Sequence, residues 1–377
     1  MKIRTIRAAG LRGATPKGGW SEELKPHDSI HTLIAIHTDE GITGLGSVAT
    51  TPGLVRAALQ LLEPLYTGEN PLEPERVSEK LRQNMFWLGR GGSVEHAISG
   101  IDIALWDILG KATGQPVGRL LGGRYRSRVR PYASVLMREP AELAESLVSL
   151  KSHRFSAFKI GWGPFGRVND LLDERIVAAA REAIGEEAYL MVDAGGSDSF
   201  WPNGYKWALK TSRMLSDYGV FWFEEPLKPD AIQDYRELRL SSTVPISGGE
   251  VLTRRHSFLP WLSTGALDIV QPDVTKVGGI TESRRIARMA EDYGVRFIPH
   301  GWNTAVGLAA DLQLASAFPH TDFVEYIIGS PYVDELACER WILDEEGMLS
   351  IPDRPGLGID INRETLEKYA DDPRFLD

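Results

Sequence analysis

Charged side chains recur at the ends of short apolar segments between residues 159 and 325. Seven positions form this series, and in chain order they are Lys159, Asp193, Glu224, Glu250, Asp273, His300 and Glu325. Neighbouring members are 23 to 34 residues apart, which is the length of one strand, one helix and two loops. Such spacing indicates repeated supersecondary units. Parallel strands joined by helices bring their carboxyl ends to one rim, so we predict that these side chains converge on one pocket.

Strand-like and helix-like patterns alternate from residue 129 onward. The predicted strands are VRPYAS, FSAFKIG, YLMVDAG, VFWFEEP, PISGGE, DIVQPDV, RFIPHG and DFVEY. Intervening helices are predicted, for example, at 141–152, 169–184, 205–217, 279–292 and 304–317. Eight strands with helices between them, in about 200 residues, have the size of a (β/α)₈ barrel.

The first 125 residues follow a different order, with three predicted strands before three predicted helices. The strands are expected at 3–8, 30–38 and 42–48, and the helices at 53–63, 74–87 and 93–114. On the third helix, Asp102 and Asp107 are interpreted as part of a solvated face or of a structural salt bridge. We predict an α+β domain at 1–125, completed by residues 351–377, and a barrel at 126–350.

Three acidic residues of the series are predicted to end consecutive strands. Asp193, Glu224 and Glu250 would repel one another in a pocket of low dielectric, or would take up protons. A divalent cation removes that cost, and an all-oxygen ligand set favours Mg²⁺, with Mn²⁺ as the second choice. Because side chains alternate along a strand, we expect Glu224 to point inward and its neighbour Glu225 to point outward.

The other members of the series are suited to proton transfer. His300 and Asp273 would end adjacent strands, where a carboxylate fixes the tautomer of the imidazole. Lys159 would face His300 across the pocket, either as a base whose pKa is lowered toward neutrality or as a permanent cation paired with the acids. Glu325 would contact the substrate or form a salt bridge with Lys276.

These groups together suit removal of a proton next to a carboxylate. A cation on a carboxylate substrate stabilises the enediolate that forms when a base removes the α-proton. The intermediate can then lose a β-hydroxyl, be reprotonated on its other face, or release a β-linked oxygen. Metal-dependent hydrolases on such barrels usually have several histidine ligands, and here only His300 is available. A non-catalytic binding protein would be expected to have lost one of these groups, and none is lost.

The charge and composition of the chain limit which binding partners and which cellular location are expected. A net charge of -10 is the opposite of the basic surface that a nucleic-acid partner requires. No segment approaches the roughly 20 apolar residues of a membrane span. The start, MKIRTIRAAG, has no apolar signal segment, and one cysteine allows no internal disulfide. We expect a cytoplasmic protein with a small-molecule carboxylate substrate and no nucleic-acid or membrane partner.

The order of these motifs resembles the mandelate racemase branch of the enolase superfamily. The likeness covers nearly the whole chain and includes FEEP, GGE, PDVTKVGG, SGIDIALWDILGKATGQPVGRLLGG and PDRPGLGIDIN. It implies an α/β fold with a modified (β/α)₇β TIM-type barrel and an N-terminal α+β capping domain. It also implies one Mg²⁺ per subunit and a homo-oligomer.

The resemblance further implies roles for individual residues. By that likeness the metal ligands are Asp193, Glu224 and Glu250, the acid/base groups are Lys159 and His300 with Asp273, and the acid or hydrogen-bond donor near the substrate carboxylate is Glu325. Lys276 would be an accessory polar group. Capping loops near Trp20 and Thr51 would cover the site, and Trp302 would add to the substrate pocket.

Two positions depart from the family pattern. The second barrel strand of the family often carries Lys-x-Lys, where this chain has Ala157, Phe158 and Lys159. The residue two after the first metal ligand is often Asn, and here it is Gly195, which predicts a more open site. Dehydration of sugar acids is the commonest activity of the branch, so we expect an Mg²⁺-dependent lyase that eliminates the β-hydroxyl. A racemase, an epimerase and a lactone cycloisomerase are the alternatives.

Overall fold

The structure is a computed structural model that describes residues 1–12, 30–198 and 200–377. The chain begins with an antiparallel sheet of β1 (Ile3–Gly10), β2 (His31–Thr38) and β3 (Thr43–Ala49). The helices that follow are α1 (Pro52–Tyr66), α2 (Pro74–Met85), α3 (Ser93–Thr113) and the short α4 (Val117–Leu120). This confirms the predicted order of three strands before three long helices.

Helix α3 lies directly against the first sheet because glycines leave no side chains between them. A Cβ atom on Gly46 would lie 2.0 Å from the carbonyl oxygen of Gly100. A Cβ atom on Gly44 would lie 2.2 Å from the carbonyl oxygen of Ala104. Helix α3 is therefore packed at backbone distance from β3.

Two aspartates of α3 are buried, so the prediction of a solvated face is wrong for them. Asp107 forms a salt bridge with Lys111, at 2.6 Å. Asp102 accepts hydrogen bonds from Ser78 Oγ at 2.7 Å and from the backbone N–H of Thr281 at 2.9 Å. The salt-bridge interpretation is confirmed for Asp107, whereas Asp102 is held by hydrogen bonds. Both are buried because α3 is covered by the sheet on one side and by barrel elements on another.

The barrel consists of strands and helices in strict alternation. The strands are β4 (Arg128–Leu136), β5 (Ala157–Gly161), β6 (Tyr189–Asp193), β7 (Trp222–Glu224), β8 (Ile246–Gly248), β9 (Ile269–Val270), β10 (Arg296–Phe297) and β11 (Phe323–Ile327). The helices are α5 (Pro140–Ser152), α6 (Asp170–Ile184), α7 (Tyr205–Asp217), α8 (Ile232–Ser241), α9 (Arg254–Thr264), α10 (Gly279–Asp292) and α11 (Ala305–Ala317). Strands β4 to β10 pair in sequence order, β11 pairs back on β4, and every one of these pairs is parallel. The predicted (β/α)₇β class is confirmed.

An apolar layer fills the interior of the barrel. Its buried members are Tyr132, Ala157, Met191, Trp222, Ile269, Ile298 and Phe323. They come from strands at both ends of the sheet, and the ring of Trp222 meets those of Tyr132 and Phe323 at 5.4 Å and 6.0 Å. The interior is thus a packed core, and polar chemistry is confined to the two ends of the barrel.

The chain returns to the first sheet after the barrel. The last elements are α12 (Pro331–Asp334), β12 (Leu349–Ser350), which is antiparallel to β4, and α13 (Arg363–Tyr369). Asp371 accepts a hydrogen bond from the backbone N–H of Gly10 at 2.8 Å. The proposed domain limits at residues 125 and 350 stay predictions. Among the described residues, no helix has the length and apolar character needed to cross a membrane.

Candidate active site

The predicted series of charged side chains lies at the carboxyl ends of the barrel strands. Four members lie within strands, and they are Lys159 on β5, Asp193 on β6, Glu224 on β7 and Glu325 on β11. Three lie just beyond strands, and they are Glu250 after β8, Asp273 after β9 and His300 after β10. All are buried except Glu250, whose side chain is 12% exposed. The structure therefore brings all seven to one rim.

Lys159 is surrounded by carboxylates. Its Nζ lies 2.7 Å from Glu224 Oε1, 3.0 Å from Glu325 Oε1 and 3.7 Å from Asp193 Oδ2. Burial opposes the charged form, but Glu224 and Glu325 outweigh it and raise the pKa of Lys159 well above its ordinary value. The sequence analysis considered a lowered pKa for Lys159 as one alternative. A lowered pKa would require a second positive charge among these acids.

His300 joins two carboxylates through its two ring nitrogens. Nδ1 donates a hydrogen bond to Asp273 Oδ2 at 2.8 Å, and Nε2 lies 2.9 Å from Glu250 Oε2. Burial opposes ionisation of both partners, yet Lys276 and His300 lower the pKa of Asp273 to about 2. Burial also opposes the charged form of His300, yet Glu250 and Glu325 raise its pKa well above its ordinary value. Asp273 thus fixes the tautomer of the imidazole and turns Nε2 toward the pocket.

Glu325 lies between the two basic side chains. Its Oε1 is 3.0 Å from Lys159 Nζ, and its Oε2 is 3.8 Å from His300 Nε2. Oε2 also accepts a hydrogen bond from the backbone N–H of Gly301, at 2.8 Å. Lys276 pairs instead with Glu250 and Asp273, at 3.7 and 3.5 Å. The pocket therefore holds two proton-carrying groups that contact one carboxylate from two sides.

The three predicted metal ligands form a donor set that fits a hard divalent cation. Burial, and then the charge of Glu224, raise the pKa of Asp193 well above its ordinary value. Crowded carboxylate oxygens of this kind are the ligands that Mg²⁺ prefers. Within residues 1–12, 30–198 and 200–377, the acids do not already converge as a ligand set. Lys159 Nζ contacts Glu224, and His300 Nε2 contacts Glu250.

Glu225 is buried, and its carboxyl group lies close enough to Glu250 and His300 to interact with their charges, so the prediction that it points outward is wrong. The strand β7 ends at Glu224, and the next residue has a φ of +44°. This left-handed conformation breaks the alternation on which the prediction rested. Burial and the neighbouring Glu250 raise the pKa of Glu225 to about 8. A fourth acid therefore lies beside the three predicted ligands.

Two neutral side chains that the sequence analysis missed orient Glu224. The Nε1 of Trp222 and the Nε2 of Gln271 donate hydrogen bonds to Glu224 Oε2 at 2.9 and 2.8 Å. Each lies two residues before a member of the charged series, Trp222 before Glu224 and Gln271 before Asp273. Strand alternation would have placed both on the inward face.

The two departures from the family pattern have structural counterparts. Ala157 lies two residues before Lys159 on β5 and belongs to the apolar layer inside the barrel. Gly195 faces the ring of Trp162, because a Cβ atom there would lie 2.7 Å from that ring. The site is therefore closed at this point by an indole, and the prediction of a more open site is wrong.

The four predicted substrate-binding residues differ in their position relative to the site. The side chain of Lys276 is 16% exposed and contacts the site directly. Thr51 is partly exposed at the start of α1, and the side chain of the preceding residue, Thr50, hydrogen-bonds His96 Nδ1 at 2.7 Å. Trp302 is partly exposed two residues after His300. Trp20 lies outside the described residues. Their roles toward a substrate stay predictions.

Two family models match the chain. Residues 26–122 match the mandelate racemase / muconate lactonizing enzyme N-terminal domain. Residues 141–365 match the enolase C-terminal domain-like model. The second match contains all seven members of the charged series, and the two together span both parts of the fold.

Individual relatives are similar over most of their length. D-galactarolactone cycloisomerase of Agrobacterium fabrum is 33% identical, over 98% of this chain and 99% of that protein. D-xylonate dehydratase of Haloferax volcanii is 31% identical, over 89% of this chain and 84% of that protein. The crystal structure of the 3,6-anhydro-D-galactonate cycloisomerase from Zobellia galactanivorans superposes with a TM-score of 0.88 at 30% identity, and covers 99% of this chain and 100% of its own.

Proposed function

The chain belongs to the mandelate racemase / muconate lactonizing enzyme family of the enolase superfamily, and we propose that it is an acid sugar dehydratase. The observation that carries this proposal is the pairing of Lys159 and His300 around Glu325, next to acidic strand ends. One of the two groups, once deprotonated, can remove a proton while the other, still protonated, delivers one. Elimination from a sugar acid needs both events.

We assign Asp193, Glu224 and Glu250 as ligands of one Mg²⁺ per subunit, with Mn²⁺ as the alternative. When bound there, the cation neutralises the acids and stabilises the negative charge that develops on a substrate carboxylate. Trp222 and Gln271 hold Glu224 in orientation for this role. Side chains that hydrogen-bond a ligating carboxylate usually orient it and strengthen metal binding.

The protein side chains carry the proton transfers. One of Lys159 and His300 removes the α-proton of the acid, and the electron pair of that C–H bond moves into the substrate to give the enediolate. The other donates its proton to the β-hydroxyl, so the C–O bond breaks and water leaves. The enol product then tautomerises to a 2-keto-3-deoxy acid. Asp273 keeps Nε2 of His300 directed at the reacting atoms throughout.

A lactone cycloisomerase is the second candidate. The cycloisomerases from Agrobacterium fabrum and Zobellia galactanivorans are similar over 98% and 99% of this chain, whereas the xylonate dehydratase covers 89%. Release of a β-linked ring oxygen uses the same enediolate and the same pair of acid/base groups. The leaving group, rather than the site residues, separates the two reactions.

The test is NMR spectroscopy in D₂O with Mg²⁺ and a panel of mono- and dicarboxylic sugar acids. The panel includes D-xylonate, D-galactarolactone and 3,6-anhydro-D-galactonate, and His300→Asn serves as the inactive control. We expect loss of an open-chain acid and appearance of a 2-keto-3-deoxy acid. Turnover of the cyclic compounds alone would establish the cycloisomerase. Deuterium exchange at the α-carbon without elimination would contradict both and indicate a racemase or epimerase.

The location and assembly of the enzyme are also proposals. We propose a homo-oligomer in the cytoplasm that acts on a small sugar acid, in a chain whose net charge is -10. Free sugar acids are anions, so the negative chain must bind them through the local positive charge of the cation and of Lys276 rather than by long-range attraction.

A further inference from the structure

The inward faces of the barrel strands change character from the amino ends to the carboxyl ends. Side chains two residues apart on a strand share a face, so Arg296, Ile298 and His300 lie in one row. Arg130 and Tyr132 form a similar row on β4. Ile298 and Tyr132 belong to the buried apolar layer, and His300 lies above it in the candidate active site. Arg130 and Arg296 therefore face the barrel axis below that layer.

A cavity of about 300 Å³ opens at this amino end of the barrel. Its polar lining comprises four arginines and one acid, namely Arg126, Arg128, Arg130, Arg296 and Asp322. Its apolar wall consists of the rings of Tyr189, Phe221 and Phe323, whose centroids are 4.9 to 5.6 Å apart. The cavity thus joins concentrated positive charge to a wall of three aromatic rings packed edge to face or tilted, in a chain whose net charge is -10.

The arginines differ in how their charge is neutralised. Arg296 contacts Asp322 at 2.9 Å, and Arg128 contacts two acids that lie outside the cavity lining, at 3.0 and 2.8 Å. Arg126 donates mainly to backbone carbonyl groups, and its contact with Asp322 is 3.6 Å.

Arg130 is the arginine of this cavity whose positive charge is least neutralised by neighbouring acids. Its guanidinium group lies over the ring of Tyr189, at 5.6 Å, and donates a hydrogen bond to Ser156. Among the residues that the structure describes, no carboxylate lies within 4.0 Å of it. Nearby, burial lowers the pKa of Arg126 and Asp322 offsets this only in part. The cavity therefore retains unbalanced positive charge around Arg130.

We propose that this cavity binds a small multivalent oxyanion, and that Arg130 and Arg296 are its principal contacts. A guanidinium group offers a planar fork that matches the oxygens of a phosphate or a carboxylate. The aromatic wall would contact the carbon skeleton of the ligand. The buried layer around Tyr132 and Trp222 separates the cavity from Lys159 and the acidic residues, so the ligand would not compete with the substrate.

The test is isothermal titration calorimetry of the full chain, without Mg²⁺ and at low ionic strength, with inorganic phosphate and with citrate as separate probes. We expect saturable binding of at least one probe, and the tighter one identifies the source as a phosphate or a polycarboxylate. Arg130→Gln should weaken binding roughly tenfold or more, because a charged hydrogen-bonding fork is lost. Arg236→Gln, which removes an exposed arginine paired with Glu237, should bind as the wild type does.

Two further variants separate loss of the site from loss of the fold. Arg130→Lys keeps the charge and removes the fork, so its affinity should lie between those of Arg130→Gln and the wild type. Arg296→Gln should also weaken binding. His300→Asn, at the other end of the barrel, should leave it unchanged. No heat with either probe, or equal affinity in Arg130→Gln and wild type, would overturn the proposal.

Discussion

At the scale of single residues, the two acid/base groups give the sharpest prediction. We expect His300→Asn and Lys159→Ala each to lower kcat by about 10²–10⁴-fold, the usual contribution of a positioned acid or base. Both variants should still bind Mg²⁺, because neither change removes an assigned ligand. Steady-state kinetics and calorimetric titration with Mg²⁺ measure the two properties.

The matched control for these variants is Lys210→Ala, which removes an exposed lysine paired with Asp170 and should leave kcat unchanged. Glu250→Gln is the converse variant and should lose Mg²⁺ affinity. Near-normal turnover in either His300→Asn or Lys159→Ala would contradict the acid/base assignment, whatever the metal affinity.

The convergence of the charged series could be predicted from the sequence, because it depends only on where each member lies relative to the end of a strand. Each member lies where an apolar run ends, and a parallel barrel places all such ends on one rim. The prediction failed where the backbone leaves the strand, at Glu225, whose φ of +44° cannot be derived from alternation. It also failed at Gly195, where a ring from another loop fills the space. The first error arises from the backbone conformation just after a strand, and the second from a contact between loops.

At the scale of elements, the contact between β3 and α3 depends on backbone distance. Gly46→Ala should destabilise the protein by about 1–3 kcal/mol or more, because the new methyl group meets the carbonyl oxygen of Gly100 rather than a flexible side chain. Gly53→Ala on α1 is the matched control. Nothing lies within 4 Å of its Cβ position, and alanine should favour the helix by about 0.5–1 kcal/mol.

Urea unfolding of the two variants beside the wild type measures both effects. Opposite shifts of the midpoint are the expected result. Equal shifts in the two variants would mean that β3 can move away from α3, and that the close approach at Gly46 is not a constraint on the fold.

Most helices could be predicted because their apolar spacing is long and regular. The predicted helix at 205–217 has the same limits as α7 (Tyr205–Asp217). The environment of Asp102 could not be predicted in the same way. Its partner Thr281 is 179 residues away, and periodicity within α3 contains no information about α10. Local patterns thus specified elements, whereas the packing of one part of the chain on another depended on pairs that are distant in sequence.

At the scale of the whole molecule, Asp102 connects the first part of the chain to the barrel and makes their association sensitive to pH. Burial outweighs the favourable charge of Arg82 and the hydrogen bonds, and raises the pKa of Asp102 to about 6. In the unfolded chain the pKa of an aspartate is about 3.9. The folded state therefore binds this proton more tightly than the unfolded state does. The stability that results is complete below pH about 4 and is lost as the pH rises through about 6.

Asp102→Asn should remove this dependence, because an amide does not titrate in this range. Between pH 5 and pH 7.5, the wild type should lose about 1.4 kcal/mol more of its unfolding free energy than the variant does. Urea unfolding of both proteins at each pH measures the difference, and every other titrating group contributes to both curves. The amide can replace only one of the two accepting oxygens, so the variant starts from a lower stability, but its pH profile should be flatter. Parallel profiles would show that Asp102 stays ionised in the fold, with Arg82 neutralising it across α2 and α3.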